Sequence, residues 1–236
     1  MGFGTPAPTL EDFLGTVKKT RLPKDAATRP CPCGATKNTG TGEGDEPSSA
    51  QVEQQTYAEC CAPLLEEGSA FGGCTTPLQV LQSRYVAFAY RNIGHVIRTT
   101  HEECRDYRDD KLAWAKDLDK EGMFDSFEFV GLEVADETGN DPEQSTESVG
   151  VDTNNDDDDD DDDNNEAFLE FKVRLRGRSL EEAPARSRSL SSIEGEETIV
   201  SERSRFLRDP ESGTWKYAGG DVRSTVQGLE DTSLNA

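Results

Sequence analysis

The stretch "AFLEFKVRLRGR" (residues 167–178) alternates almost without a break: Leu169, Phe171, Val173 and Leu175 point one way, Glu170, Lys172, Arg174 and Arg176 the other. A period of two over this length is the mark of a β-strand with one apolar and one solvated face. Such a strand needs neighbours patterned alike. "SFEFVGLEVADE" (126–137) supplies one, with Val130, Leu132 and Val134 on one face, and "ETIVSERSRFLRD" (197–209) supplies another. "PESG" (210–213) has turn chemistry and leads into a fourth strand, "TWKYAGG" (214–220).

Upstream the period changes to that of a helix. In "TPLQVLQSRYVAFAYRNIGHVIRTTH" (76–101), Thr76 suits an N-cap and Pro77 the first helical position, while Leu78, Leu81, Tyr85 and Phe88 form an apolar stripe. Gly94 is the expected stop, with "GHVIRTTH" as a further short helix. "RDYRDDKLAWAKDLDKEG" (105–122) gives a third helix, its apolar positions Leu112, Trp114 and Leu118. Helices followed by an antiparallel meander of four strands make an α+β fold.

The organisation around this unit follows from composition. Residues 1–30 read as a disordered arm with one amphipathic turn around Leu10, Phe13, Leu14 and Val17. Residues 31–63 hold a cysteine cluster interrupted by a Gly- and Thr-rich flexible loop (35–50), residues 64–221 the helices and sheet, and 222–236 a tail. Two polar insertions, 139–165 and 177–194, bury too little apolar surface to order themselves; the first contains "NNDDDDDDDDNN" (154–165). That run lacks the glycine and spaced ligands of an EF-hand loop and reads as solvated chain.

The net charge of −23 disfavours general binding to nucleic acid or anionic lipid. No apolar run reaches the ~20 residues of a membrane helix. The N-terminal sequence lacks the continuous apolar core of a secretory signal, which points to the cytoplasm. An organelle is the alternative, if the Lys- and Arg-bearing arm is a targeting peptide; Glu11 and Asp12 argue against that.

Cys31 and Cys33 in "CPCG" and Cys60 and Cys61 in "ECC" form a C-x-C…C-C set. Four thiolates around zinc make a closed, structural tetrahedral site. Disulfides across the loop, or free thiols, are the competing reading, disfavoured in a reducing compartment. Cys74 and Cys104 read as ordinary thiols.

"CPCG", "CC", "SRYVAFAYRN", "TTH", "ERSRFLRD" and "WKYAGG" occur in the order found in the YchJ-like family of SEC-C motif proteins, and the chain resembles that family over about 31–33, 60–134 and 168–221. The resemblance implies a SEC-C zinc knuckle followed by a cone-shaped nuclear-transport-factor-2-like domain, helices packed on a curved antiparallel sheet. It also implies a protein or ribosome partner, by analogy with the knuckle of the translocation motor SecA. The knuckle loop is longer than in the family pattern, "GATKN" stands where "GSGKK" is common, and the sequence ends "VQGLEDTSLNA" without a second knuckle. The resemblance implies no particular reaction.

The sequence also has no Gly-rich phosphate loop, no G-x-S-x-G and no H-E-x-x-H, so a non-enzymatic interaction module is the leading expectation. The rival is a small-molecule-binding protein or enzyme using the cone for acid–base chemistry, with His101, Tyr85 and Glu202 lining it. Glu202 shares a strand face with Val200, Ser204 and Phe206, which places a carboxylate against the core. A buried carboxylate calls for a partner, and Arg84 on the main helix is the expected one, giving a structural ion pair that clamps helix to sheet.

Overall fold

Each change of period in the sequence becomes a change of element. The computed structural model describes residues 8–16, 21–38, 52–66, 73–120, 123–135, 165–178 and 195–226. In chain order the helices and strands are α1 (Leu10–Thr16), β1 (Thr36–Asn38), β2 (Val52–Gln54), α2 (Ala62–Leu65), α3 (Pro77–Tyr90), α4 (Ile93–Arg98), α5 (Lys111–Lys120), α6 (Met123–Ser126), β3 (Phe127–Val134), β4 (Glu166–Gly177), β5 (Glu197–Arg208) and β6 (Trp215–Val226). The last four form one antiparallel sheet in the order β3-β4-β5-β6, the expected meander, and β1 and β2 form a separate hairpin.

Helix α3 is the axis of the fold. Thr76 caps it, accepting a hydrogen bond from the Gln79 backbone N–H, and Pro77 opens it. It buries more than the expected stripe. Leu81 packs with Leu169, Phe171 and Phe206 of the sheet, while Tyr85, Val86 and Ala87 join Ile93, Val96, Ile97 and Trp114. Leu78, by contrast, is exposed.

The helix stops at Arg91, not at Gly94, which lies inside α4. Arg91 adopts the left-handed conformation (φ 61°), unusual for a residue with a side chain. Its side chain, 1% exposed, lies 2.9 Å from Asp119 Oδ1 and 3.4 Å from Asp125 Oδ1, and donates to the Asp119 carbonyl. Asn92 then caps α4 by accepting from the His95 N–H. The charge cluster therefore selects the turn.

In β3 the expected face of Val130, Leu132 and Val134 is broken. The register with β4 shifts between Phe129 and Gly131, which makes Val130 the extra residue of a bulge. Phe129 thereby comes to the core side, edge-on to Tyr85 and stacked on Phe88. In β4, Leu169, Phe171 and Leu175 are buried as their alternation requires.

Three boundaries differ from the sequence reading. Much of the arm is placed: Thr9 and Asp12 form a reciprocal cap on α1, whose Leu10, Phe13 and Leu14 lie on the core. Arg21 binds the Phe124 carbonyl and the Asp125 carboxylate, and Ala26 is buried. These residues gain order from a surface distant in sequence, which local composition cannot register. The loop expected at 35–50 begins as strand β1, and only 39–50 lies outside the described residues. The tail expected from 222 continues β6, with Val222 opposite Glu202 and Val226 opposite Thr198. The insertions at 139–165 and 177–194 lie outside the described residues except for Asn165, Gly177 and Arg178.

Removing Arg91 leaves two aspartates without their shared cation. Arg91→Ala is expected to lower the unfolding free energy by about 3–5 kcal/mol, the cost of breaking a buried pair from one side. Urea titration of parent and variant reads this directly, and a loss below about 1 kcal/mol would contradict it.

Candidate metal centre and cone cavity

Two tight turns and one helix entry bring the four cysteines together. Gly34 (φ 76°) closes the first turn, its N–H donating to the Cys31 carbonyl. The Cys31 N–H donates to Gln55, tying this turn to the chain leaving β2, and Pro30 bridges to Thr56. On the other side the Cys60 N–H donates back to Thr56, and Cys61 stands at the N-cap position of α2.

The sulfurs converge. Cys31–Cys33 is 3.4 Å, Cys33–Cys60 3.5 Å, Cys60–Cys61 3.7 Å and Cys33–Cys61 3.7 Å. All four lie within 4.8 Å of one another and can hold a metal ion. Cys31, Cys33 and Cys61 are buried and Cys60 half-buried. The crowding splits their acidities. Side-chain hydrogen bonds from Cys33, then Cys60 and Cys61, push Cys31 down, while the Cys31 sulfur foremost pushes Cys61 up. Cys60 is pushed down as well and Cys33 up, so the cluster resists ionising all four thiols together, which is the conflict a bound cation removes.

Between α3 and the sheet lies a cavity of about 260 Å³. Tyr85 and Glu202 line it, as do Arg84, Phe88, Phe129 and Tyr217. His101 does not. It is buried beside it, its N–H donating to the Tyr217 carbonyl and its Nδ1 accepting from the Glu103 N–H. Backbone partners, one of them in β6, account for it, and the cavity does not receive its ring.

The expected Arg84–Glu202 ion pair is not formed. Arg84 Nη1 donates to the Val96 carbonyl and to the Thr99 and Thr100 hydroxyls, and the guanidinium lies 4.5 Å from the centre of the Tyr217 ring. Glu202 Oε1 accepts from Ser204 Oγ at 2.6 Å and from the Tyr217 hydroxyl at 2.9 Å. Neutral acceptors and a π-face meet the guanidinium, neutral hydroxyl donors meet the carboxylate, and Tyr217 contacts both. Helix and sheet are still clamped, but through the tyrosine.

Sequence reasoning found no role for His95. It is 2% exposed and its Nε2 lies 2.9 Å from Ser83 Oγ, which in turn lies 3.5 Å from Cys74 Sγ. Burial, helped by Arg98 and Arg84, pushes its pKa down to about 3. The ring is thus a neutral link between α3 and α4, a poor base despite its serine neighbour. No sequence spacing announces this contact, because it depends on how two helices cross.

Helices on a four-stranded antiparallel sheet, with a cavity between them and a cysteine cluster ahead of them, are compatible with a nuclear-transport-factor-2-like domain preceded by a metal knuckle. The family model described as "YchJ, middle NTF2-like domain" matches residues 76–168, so this part of the chain is similar to that domain, in line with the resemblance read from the sequence. Among solved structures, a SEC-C motif containing protein from Psychrobacter arcticus is similar at 17% identity, over 81% of each chain, with a TM-score of 0.43. No curated protein matches the chain.

Because His95 is neutral when folded and protonates near its ordinary 6.5 when unfolded, acid favours the unfolded chain. Its contribution is full above the unfolded value and is lost as pH falls towards about 3. Between pH 6.5 and 5 this one group should remove roughly 2 kcal/mol, at about 1.4 kcal/mol per pH unit. Denaturant melts of the parent and of His95→Gln across that window test it; parallel curves would show that His95 is not responsible.

Proposed function

We propose that the protein is a zinc-binding interaction module of the cytoplasm, in which the zinc is structural and holds the knuckle against the helices. The observation that carries this is the arrangement of sulfurs. A tetrahedral site with Zn–S of about 2.3 Å requires S–S edges of about 3.8 Å, and four sulfur pairs lie at 3.4–3.7 Å. Four cysteine ligands leave zinc no open position, which favours a fold-stabilising role over metal catalysis. The thiolates require a reducing compartment. No helix among the described residues is long and apolar enough to cross a membrane. The partner we assign is a protein with a basic surface, on the strength of the net charge of −23.

A second reading is favoured by the cavity between α3 and the sheet. Its volume of about 260 Å³, its aromatic walls and its few convergent polar groups are features of a small-molecule site. It does not compete with the first, since one scaffold can present a partner surface and hold a ligand.

Metal analysis of protein purified without chelator is the direct test. About one zinc per chain is expected, with Cys31→Ser and Cys60→Ser losing it and melting lower. Zinc binding should release protons and weaken in acid, because the ligands are thiolates. Parent protein with almost no zinc, and variants as stable as the parent, would refute the metal role. Capture of a basic partner by the zinc-loaded parent and by neither cysteine variant would support the interaction role; equal capture by all three would separate the partner from the knuckle.

A further inference from the structure

We propose that the cone cavity binds a small, neutral, planar ligand whose edge carries a carbonyl acceptor beside an N–H donor, an aromatic amide or lactam, with the carbonyl on Arg84 and the N–H on Glu202. This rests on the second reading above, that the cavity is a small-molecule site.

Arg84 is held rigid before any ligand arrives. Its Nη1 makes all three hydrogen bonds, to Val96, Thr99 and Thr100, and its plane is backed by the Tyr217 ring. Nε and Nη2 have no acceptor among the described residues. A fixed guanidinium with unused donors on a cavity wall is a ready acceptor site for a ligand oxygen.

Glu202 is built in the same way. Oε1 is held by Ser204 and Tyr217, and Oε2 has no donor among the described residues. Gly220, across the strand pair, makes room for this carboxylate, since a Cβ there would collide with Oε1 and lie 3.0 Å from the Arg203 carbonyl. Both charged groups line the cavity, and Tyr217 keeps them from closing on each other.

Charge decides the class of ligand. An anion gains Arg84 but meets Glu202, and Asp106 at the same cavity. An amine gains Glu202 but meets Arg84. A purely apolar ring packs against the Phe88 and Phe129 wall but strips water from both charges without replacing it. A neutral edge with acceptor and donor side by side answers both without bringing a charge of its own out of water, and the aromatic walls favour placing that edge on a flat ring.

The test is titration of the full chain, followed by amide chemical shifts, with benzamide, benzoate, benzylamine and toluene. Benzamide should bind at least about tenfold more tightly than each of the others, with shifts concentrated at Arg84, Tyr85, Phe88 and Tyr217. Glu202→Gln should shrink the preference over benzoate, because the repelling charge is gone; Gly220→Ala, which displaces the carboxylate without removing it, should weaken benzamide. If none of the four probes binds, the cavity is not a ligand site and both readings fall. If benzoate, benzylamine or toluene binds as tightly as benzamide, the cavity reading stands and the donor–acceptor class is wrong. An undiminished preference in both variants overturns the role of Glu202.

Discussion

The convergence of four sulfurs constrains more of this molecule than its size suggests. Cys33 and Cys60 are 27 residues apart, yet Cys31, Cys33 and Cys61 share one buried cluster with Tyr85, Val86, Ile97 and Trp114 of the helices. The knuckle is therefore part of the core, and Tyr57 sits edge-on to Tyr90 at 5.4 Å to complete the contact. Closing so long a loop is not prohibitive, because the entropy cost of closure grows only as the logarithm of its length. Tyr85 belongs to the cysteine-containing cluster and also lines the cone cavity. Whatever holds the sulfurs together thus also steadies one wall of the cavity.

Two arginines on or next to one helix solve the same burial problem in different ways. Arg91 sits among aspartates and fixes the helix end through full charges. Arg84 uses a carbonyl, two hydroxyls and an aromatic face, and leaves Glu202 to hydroxyl donors of its own. The first arrangement is closed. The second keeps opposite charges near each other and unjoined, with spare hydrogen-bonding capacity facing a cavity. A stability argument alone favours collapse of such a pair into a direct bridge, and Tyr217 is the physical reason that it does not collapse.

The parts of the structure legible in the sequence were those set by local period or by rare residues. The alternation of β4 needs only one apolar face, the Thr76–Pro77 start of α3 only its own hydrogen bonds, and four cysteines in two short motifs leave few chemical options. The illegible parts all depend on contacts between distant segments. Nothing near Val130 signals that a bulge will hand its place to Phe129. The stop at Arg91 requires aspartates 28 and 34 residues further on, as the separations from Asp119 and Asp125 show. For Glu202, the alternation of β5 places the carboxylate towards the cavity, but its partners are neutral hydroxyls, which a pairing of opposite charges along the sequence does not reveal.

The outward face of the sheet shows how a chain so acidic keeps its cations. Arg174 lies 3.5 Å from Glu133, Arg176 2.7 Å from Glu197, Arg203 3.5 Å from Glu170 and Arg205 3.1 Å from Glu103. These exposed pairs add little stability each. Their consequence is electrostatic: the strand arginines are neutralised where they stand, so the surplus of carboxylates is not offset there by a long basic stripe. A field of that sign repels polyanions at a distance, attracts cations and basic surfaces, and fades beyond about 8–10 Å at physiological salt. Between α3 and the sheet the walls reduce that screening, so charges such as Arg84 and Glu202, which line the cavity, are felt more strongly at close range than the surface charges. On the readings proposed above, the surface would select what approaches by net charge and the cavity by hydrogen-bond pattern.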